Sequence, residues 1–396
     1  MSSRVKKRRV LRATQVVAIS FAAVILCGTL LLMLPISSTS GESCGLMTAL
    51  FTATSATCVT GLILVDTLTG WTVFGQVVII LMIQLGGLGF MTIIFLMALS
   101  VKRKLSLSQR LMAVSNFNLN DMGDIGRLVR GALKTTFAFE GIGALVLTIC
   151  FWPRYGAEAI WKGVFTSISA FCNAGFDIFG TEKIGSLSTY DDHPVVLLTV
   201  TILIACGGLG FFVWEEIKRR HSWKRLSLYS KMVIVMTLFL LAFGTAFFLL
   251  SEYDNEGTMA SMPFWQSLLN ALFQSTTLRT AGFYSISQGA LTDVSIVMCI
   301  LLMLAGGSSG SCAGGLKTGT VGVLLLALRS GLRGRETVTI RGRTIPQQKV
   351  LSAVTLLLIV LLLFLTASIA IAVLDSVPYL AAAYETASAM ATVGVT

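Results

Sequence analysis

Long apolar runs alternate with shorter semi-polar segments along the chain. A helix needs about 20 apolar residues to cross a bilayer. Runs of this kind occupy residues 15–34, 72–99, 128–151, 195–214, 232–250, 294–305 continuing past a Gly-rich stretch to 328, and 350–374. The pattern predicts an all-α integral membrane protein whose helices span the bilayer at these runs.

Four semi-polar segments, each too short to cross a bilayer, follow the first span of each pair. Their sequences are LMTALFTATSATCVTGL, WKGVFTSISAFCNAGF, WQSLLNALFQSTTLRTAGF and AAYETASAMATVGV. Each contains one aligned glycine, and Gly61, Gly175, Gly282 and Gly394 are spaced 114, 107 and 112 residues apart. Repetition at a near-constant spacing predicts four units of one architecture.

Each unit is expected to be a helix, a re-entrant segment and a second helix around a central pore. The predicted boundaries are a basic tail at 1–14, repeat 1 at 15–104, repeat 2 at 125–220, repeat 3 at 231–333 and repeat 4 at 347–396. The second helix of repeat 3 is predicted to be broken. Repeat 4 ends at Thr396, so its closing helix, about 20–30 residues in this pattern, is missing from the repeat.

A glycine motif recurs in the span after each of the first three segments. It reads QLGGLGF at residues 84–90, ACGGLGF at 205–211 and AGGSSGS at 305–311. The third copy leads into a stretch that misses the nucleotide-binding pattern G-x-x-x-x-G-K-[ST] by one residue, because Leu316 precedes Lys317. No strand precedes it, as a phosphate-binding loop requires, so the stretch is interpreted as a helix unwound inside the membrane.

Composition and charge fix the class and the orientation. The chain is 55% hydrophobic and 12% charged, with a mean hydropathy of +0.82, whereas soluble domains carry about 25% charged residues. Lys and Arg concentrate in the amino-terminal tail and in three alternate connections, which the positive-inside rule places in the cytoplasm. The net charge of +11 therefore needs no nucleic-acid partner; the partners expected are membrane lipids and proteins.

The side-chain chemistry of enzymes is sparse. The eight cysteines form no C-x-x-C pair, and the two histidines, His193 and His221, lie in connections. A membrane ATPase would need a soluble nucleotide-binding domain, which the chain lacks. We expect no enzyme activity, no cofactor in this chain and no metal site apart from K⁺ at the pore.

The glycine-containing segments are suited to an ion filter. Re-entrant backbone is tolerated at membrane depth where it is buried or faces water. Half-helices pointing their carboxyl ends at an axis would place negative dipole ends and backbone carbonyls there, as potassium filters do. A re-entrant turn that binds no ion is the alternative at any single glycine; four in register favour the filter.

These segments, SATCVTGL, SAFCNAGF, TTLRTAGF and SAMATVGV, resemble the four filter loops of the Trk/Ktr/HKT superfamily of potassium transporters. The basic tail and LMLPIS at 32–37 are most similar to the bacterial Ktr-type membrane subunit. The resemblance implies K⁺ uptake across the plasma membrane through a gated, channel-like pore. It leaves open a Na⁺- or H⁺-coupled K⁺ symporter of the same fold.

The resemblance also assigns residues. The K⁺ selectivity filter would comprise Val59, Thr60, Gly61, Asn173, Ala174, Gly175, Thr280, Ala281, Gly282, Thr392, Val393 and Gly394. The gating loop beneath it would comprise Gly306, Gly307, Ser308, Ser309, Gly310, Ser311, Gly314, Gly315 and Lys317. Relatives with serine in place of Gly61 tend toward Na⁺.

Two charges near the pore are open to two interpretations each. Lys317 is either a positive barrier to cations or an interfacial lysine whose head group reaches water. Arg279 is expected to support the filter by hydrogen-bonding backbone carbonyls or a carboxylate, with Glu385 as one candidate partner, rather than to contact permeating ions. The family further implies a homodimer, activation by Na⁺, and a cytoplasmic ring of nucleotide-binding (RCK-type) regulatory subunits, with nucleotide only on that partner.

Overall fold

The computed structural model describes residues 13–101, 125–180, 185–335, 337–340 and 343–396. Within these ranges the protein is almost entirely helical. The helices are α1 Ala13–Leu32, α2 Leu46–Thr57, α3 Thr67–Gly70, α4 Val73–Val101, α5 Ile125–Tyr155, α6 Glu158–Phe171, α7 Pro194–Leu209, α8 Phe211–Arg220, α9 Leu228–Glu252, α10 Phe264–Thr277, α11 Asp293–Leu304, α12 Thr318–Leu332, α13 Gln347–Leu374 and α14 Tyr379–Ala391.

In these ranges the named strands form one small hairpin, apart from an isolated bridge between Ser38 and Trp71. Strand β1, Thr339–Ile340, pairs antiparallel with β2, Arg343–Thr344, between α12 and α13. Most of the basic tail predicted at 1–14, and the connection 102–124, lie outside the described residues. The predicted all-α membrane architecture is confirmed.

Three helices in the described part of the chain are long and apolar enough to span a membrane. They are Arg130–Tyr155 within α5, Leu228–Glu252 and Gln347–Leu374. The pair formed by α7 and α8 would be a fourth span, bent by 91°. On α13 large apolar side chains such as Leu358 and Leu362 are exposed, as expected of a surface that faces lipid rather than water.

The helix before each of the four aligned glycines is too short to cross a bilayer and is followed by irregular backbone. Helices α2, α6, α10 and α14 have 12, 14, 14 and 13 residues; at 1.5 Å per residue that is about 20 Å, against about 30 Å of hydrocarbon. Proline fixes the start of two of them, since Pro263 and Pro378 are the N-cap residues of α10 and α14. These are the predicted half-helices.

Two of the predicted spans are broken at glycine, and the prediction of continuous helices at 72–99 and 195–214 was wrong. Gly89 adopts φ 57° and ψ −151° inside α4, and Gly210 adopts φ 88° and ψ 145° between α7 and α8. Such angles are accessible to glycine and disfavoured for other residues. The predicted break in repeat 3 is present as an irregular segment, residues 305–317, between α11 and α12.

The core is divided among three clusters of buried apolar side chains. One cluster joins α1, α2 and α4, and a second is centred on α5, α6 and α7. The third combines α9, α10, α11 and α14. The first two sets contain the helices assigned to repeats 1 and 2, and the third draws on repeats 3 and 4 together; the repeat boundaries stay a prediction.

Candidate functional site

The backbone after each half-helix follows the same pattern of dihedral angles. The residue two before each glycine is left-handed, with φ 57° at Val59, 58° at Asn173, 71° at Thr280 and 55° at Thr392. The glycines are left-handed as well, with φ 87° at Gly61, 72° at Gly175, 83° at Gly282 and 91° at Gly394. The residue between them is not. Positive φ at a β-branched residue such as Val59 is a genuine outlier, and such strain concentrates at functional sites.

The four glycines close into a ring. A Cβ atom placed on Gly61 would lie 2.6 Å from the carbonyl oxygen of Ala174, and one on Gly175 would lie 3.0 Å from that of Ala281. The same holds for Gly282 and the oxygen of Val393, at 2.7 Å.

The fourth segment completes the circle, because a Cβ on Gly394 would lie 2.5 Å from the carbonyl oxygen of Thr60. Each glycine therefore faces the carbonyl that precedes the glycine of the next segment. We call these four glycines, with the carbonyls of Thr60, Ala174, Ala281 and Val393, the glycine ring. Any side chain on a ring glycine would collide with the neighbouring segment.

Hydrogen bonds connect each ring segment to the last turns of its own half-helix. The amide of Thr60 donates to the Ser55 carbonyl, that of Ala174 to Ser169 and that of Val393 to Ser388, each at 2.8 Å. This is the bond that closes a helix whose next residue is left-handed. The third segment differs by one residue, since Ala281 donates to Thr277 at 2.8 Å.

The electrostatics of the ring favour a cation. The four half-helices end at it, and each helix carboxyl end carries about half a negative charge. None of α2, α6, α10 and α14 has a basic residue in its last turn to offset that charge. In the described residues no group of three or more His, Cys, Asp or Glu side chains could hold a metal ion, so the chemistry available here is that of backbone oxygen.

Arg279 is the cation nearest the ring in sequence, and it contacts backbone. Its side chain is buried, and Nη2 donates to the carbonyl of Gly306 at 3.3 Å, while its own carbonyl accepts from Nδ2 of Asn173 at 3.4 Å. Glu385, the carboxylate partner considered from the sequence, forms no ion pair with Arg279 in the described structure. The guanidinium instead joins the third ring segment to residues 305–317.

Residues 305–317 lie directly against the ring. The amide of Gly314 donates to Oγ1 of Thr280 at 3.3 Å, and a Cβ on Gly314 would lie 2.7 Å from the Ala391 carbonyl. We call residues 305–317 the inner loop. It contacts the third and fourth ring segments at the left-handed residues themselves or beside them.

The broken helix of repeat 2 holds the other side of the inner loop. The amide of Ser308 donates to the Gly208 carbonyl at 3.0 Å, and its hydroxyl donates to Leu209 at 2.5 Å. The amide of Phe211 donates to the Gly310 carbonyl at 2.9 Å. The loop therefore fits into the break at Gly210.

Contacts within the inner loop make it compact. Ser311 Oγ donates to the Ser308 carbonyl at 2.7 Å, and a Cβ on Gly315 would lie 3.0 Å from the Cα of Gly306. Gly307 accepts from the amide of Thr318 at 2.9 Å. The remaining predicted loop residue, Ser309, accepts from the Tyr229 hydroxyl at 3.3 Å.

Lys317 points into the loop. Its Nζ donates to the Ala313 carbonyl at 2.5 Å, four residues earlier in the same loop. The side chain is partly buried, so the charge lies close to the inner loop. This geometry differs from that of an interfacial lysine whose head group extends to water.

Two buried ionisable side chains near the ring segments were not identified from the sequence. Glu140, 4% exposed on α5, accepts from Nε2 of Gln84 at 3.0 and 3.2 Å, and the thiol of Cys172 lies 3.8 Å from it. Cys172 directly precedes Asn173. The available signal was an acidic residue in the middle of a predicted span, which is a candidate functional group by default.

The second ionisable side chain is Lys162 on α6. It is 5% exposed, its Nζ donates to the Ile178 carbonyl, and the ring of Tyr155 lies 4.5 Å from Nζ. Asp177, which directly precedes Ile178 and lies after the half-helix, is partly buried, and desolvation is the main cause that raises the pKa of its carboxyl to about 6.

Known proteins resemble this chain over its whole length. A family model described as TrkH, cation transport protein, matches residues 2–396. The "Potassium/sodium uptake protein NtpJ" of Enterococcus hirae is 40% identical over 100% of this chain and 87% of that protein. The "Ktr system potassium uptake protein B" of Bacillus subtilis is 37% identical over 96% of this chain and 85% of that protein.

A solved structure agrees in fold. The potassium transporter TrkH from Vibrio parahaemolyticus superposes with a TM-score of 0.73, covering 98% of this chain and 78% of that one at 17% identity. These relatives are ion transporters and not enzymes, which confirms the predicted class. The chain belongs to the TrkH family of cation transport proteins.

Proposed function

We propose that the protein takes up K⁺ across the plasma membrane through a gated, channel-like pore whose selectivity filter is the glycine ring. The observation that carries the proposal is the cyclic arrangement in which each ring glycine faces the carbonyl before the next one. Four strained segments with one dihedral pattern are expensive to maintain. A ring of oxygens that replaces the hydration shell of a cation accounts for all four at once.

The inner loop is proposed as the gate. It lies against Thr280 and beside Thr392 on one face of the ring, and its backbone of glycine and serine has little helix propensity. Its attachments to Gly208, Leu209 and Thr280 are single hydrogen bonds, each worth about 1 kcal/mol. Displacing it therefore requires little free energy compared with deforming the ring.

The proposal is tested by uptake of radioactive Rb⁺ into proteoliposomes, with Na⁺ as competitor. Gly61→Ser is expected to keep the protein folded and to lose discrimination between Rb⁺ and Na⁺. Gly45→Ser is the matched control, because Gly45 is also left-handed at φ 82° but a Cβ there meets nothing within 4 Å. The filter assignment would be overturned if excess Na⁺ left Rb⁺ uptake unaffected in the unaltered protein and equally unaffected in Gly61→Ser.

A coupled K⁺ symporter of the same fold is the second candidate, supported by the relative named for potassium and sodium uptake. The two are separated by the reversal potential. The reversal potential of a pore depends on the K⁺ gradient alone. The reversal potential of a symporter with Na⁺ or H⁺ also shifts with the gradient of the second ion, at a fixed stoichiometry.

The assembly is proposed from relatives and charge. Relatives are named as the lettered components B and D of a Ktr system, so we propose a homodimer that docks on a cytoplasmic ring of nucleotide-binding, RCK-type regulatory subunits. The basic connections would face that ring, and the amino terminus would be cytoplasmic. Nucleotide would bind only to the regulatory subunit, and Na⁺ would act as an activator.

A further inference from the structure

A groove of 330 Å³ lies between α9 and α12, away from the glycine ring. Its apolar walls come from both helices: Leu228, Met232, Val235, Met236, Leu325 and Leu326. Two cations complete the lining, Lys231 in the first turn of α9 and Arg329 in the last turn of α12. The groove has the volume of a small-molecule site. Its lining combines an apolar wall with positive charge.

Neither cation is neutralised by an acidic side chain in the described part of the chain. Lys231 Nζ donates to the backbone carbonyl of Lys224 at 3.0 Å, which leaves two of its three N–H groups for a ligand. Both residues adjoin the connections whose positive charge assigns them to the cytoplasmic side. Val235 and Leu325 are 53% and 46% exposed, so the groove opens to the surface that faces the bilayer.

We propose that this groove binds an anionic phospholipid, with the headgroup on Lys231 and Arg329 and an acyl chain along the apolar wall. Basic pockets between membrane helices at the cytoplasmic interface recognise such headgroups. The acyl chain of a zwitterionic lipid would pack against the apolar wall, but its headgroup carries no net negative charge for the two cations. A second copy of the chain is a poorer occupant, since a two-fold contact places like charges against each other.

The site is positioned to act on the inner loop. Tyr229, next to Leu228 in the groove, donates its hydroxyl to the Ser309 carbonyl at 3.3 Å. Helix α12 starts at Thr318, directly after Lys317, and a Cβ on Gly322 would lie 3.0 Å from Sδ of Met232. A lipid that spans the groove holds α9 against α12, and both helices contact the inner loop or continue from it.

The test is lipid binding to the delipidated protein in detergent, measured by native mass spectrometry with phosphatidylglycerol and phosphatidylcholine of the same acyl chains. The unaltered protein is expected to retain phosphatidylglycerol selectively. The double variant Lys231→Gln with Arg329→Gln should bind it about thirtyfold more weakly, from the usual contribution of two cations to anionic-lipid affinity. Arg219→Gln with Lys224→Gln removes the same charge from exposed positions outside the groove and should leave binding unchanged.

A second variant tests the apolar wall without changing charge. Val235→Trp fills the groove from an exposed position and should reduce binding of phosphatidylglycerol while the thermal unfolding midpoint in phosphatidylcholine is retained. Equal binding of the two lipids, or unaltered binding to the Lys231 and Arg329 double variant, would overturn the proposal. Loss of a dimer peak with unchanged lipid binding would assign the groove to a subunit contact instead. The readout involves no ion flux, so it stands apart from the test of the transport proposal.

Discussion

The glycine ring and the inner loop are both glycine-rich, yet they use glycine differently. In the ring, every glycine has φ between 72° and 91° and faces a carbonyl of the next segment. In the inner loop, two of the glycines, Gly310 and Gly315, are left-handed, at 73° and 63°, and the remaining ones lie close to other backbone. Each ring glycine is enclosed by the next ring segment, whereas the inner loop is attached to its neighbours mainly through individual hydrogen bonds. The rigid ring is suited to selecting an ion, and the loop is suited to moving as a gate.

The largest effect should come from a side chain in the ring. Gly175→Ala forces a Cβ to within 2.8 Å of the Cα of Gly282 at a φ of 72°. Left-handed alanine costs about 1–2 kcal/mol and the overlap about 1–3 kcal/mol more. Rb⁺ uptake in proteoliposomes should fall by about a hundredfold or more.

Gly156→Ala is the control for that variant. Gly156 has φ 54° and nothing within 4 Å of an added Cβ, so it carries the backbone strain without the collision. Uptake reduced as far by Gly156→Ala as by Gly175→Ala would mean that the strain, and not the ring contact, explains the loss.

A smaller effect of opposite sign is expected from the inner loop. Ser308→Ala removes the hydroxyl that donates to Leu209 and introduces no overlap. The loss of one hydrogen bond, about 1 kcal/mol, should raise the displaced population about fivefold and increase Rb⁺ flux with unchanged preference for Rb⁺ over Na⁺.

Ser352→Ala is the matched control on α13, where the exposed Ser352 hydroxyl donates to Gln348 at 2.8 Å. A Ser308→Ala variant that altered selectivity, or that left flux at the level of Ser352→Ala, would contradict the division of roles between ring and loop.

The contacts behind the ring should contribute stability. Glu140→Ala leaves the half-buried amide of Gln84 without its acceptor, which costs about 1–3 kcal/mol and should lower the thermal unfolding midpoint. Glu140→Gln keeps the shape and one acceptor oxygen. Its thermal unfolding midpoint should lie between those of the unaltered protein and Glu140→Ala. Equal midpoints for all three proteins would mean that this contact does not stabilise the structure around the ring.

The smallest effect concerns Asp177, outside the ring. Its carboxyl has a pKa raised to about 6 by burial, so the protonated form is favoured in the folded state. This contribution to stability is fully present below the unfolded pKa of about 4 and is lost as pH rises through 6.

Asp177→Asn should therefore raise the unfolding midpoint relative to the unaltered protein at pH 8, with little difference at pH 4. A stabilisation by Asp177→Asn that is the same at both pH values would show that Asp177 does not titrate differently on folding.

Much of this architecture could be predicted from the sequence, because a segment that recurs along the chain indicates a structural unit that recurs in the fold. Four aligned glycines predicted four re-entrant segments, and α2, α6, α10 and α14 precede them. The left-handed angles at Val59 and Thr392 could not be predicted, since β-branched residues disfavour them. In the structure these angles accompany the bonds that close the half-helices, from the amides of Thr60 and Val393 to the carbonyls of Ser55 and Ser388.

Other features were hidden by the apolar pattern itself. Gly89 and Gly210 lie in uninterrupted apolar runs, where one glycine is compatible with a helix, so the breaks were missed. Both breaks follow a glycine pair that packs against the end of a half-helix; a Cβ on Gly86 or Gly207 would overlap the carbonyl of Thr57 or Phe171. A backbone carbonyl was one of the two kinds of partner expected for Arg279, but the sequence did not identify Gly306, because a particular carbonyl leaves no signature in sequence.

The proposed filter requires that carbonyls of the glycine ring bind the transported cation. Anomalous diffraction from crystals of the protein grown with Rb⁺ would locate that cation. We expect a Rb⁺ peak on the ring axis, coordinated by the carbonyl oxygens of Thr60, Ala174, Ala281 and Val393, that Gly61→Ser weakens. A bound Rb⁺ elsewhere in the membrane region, with none at the ring, would contradict the proposed filter.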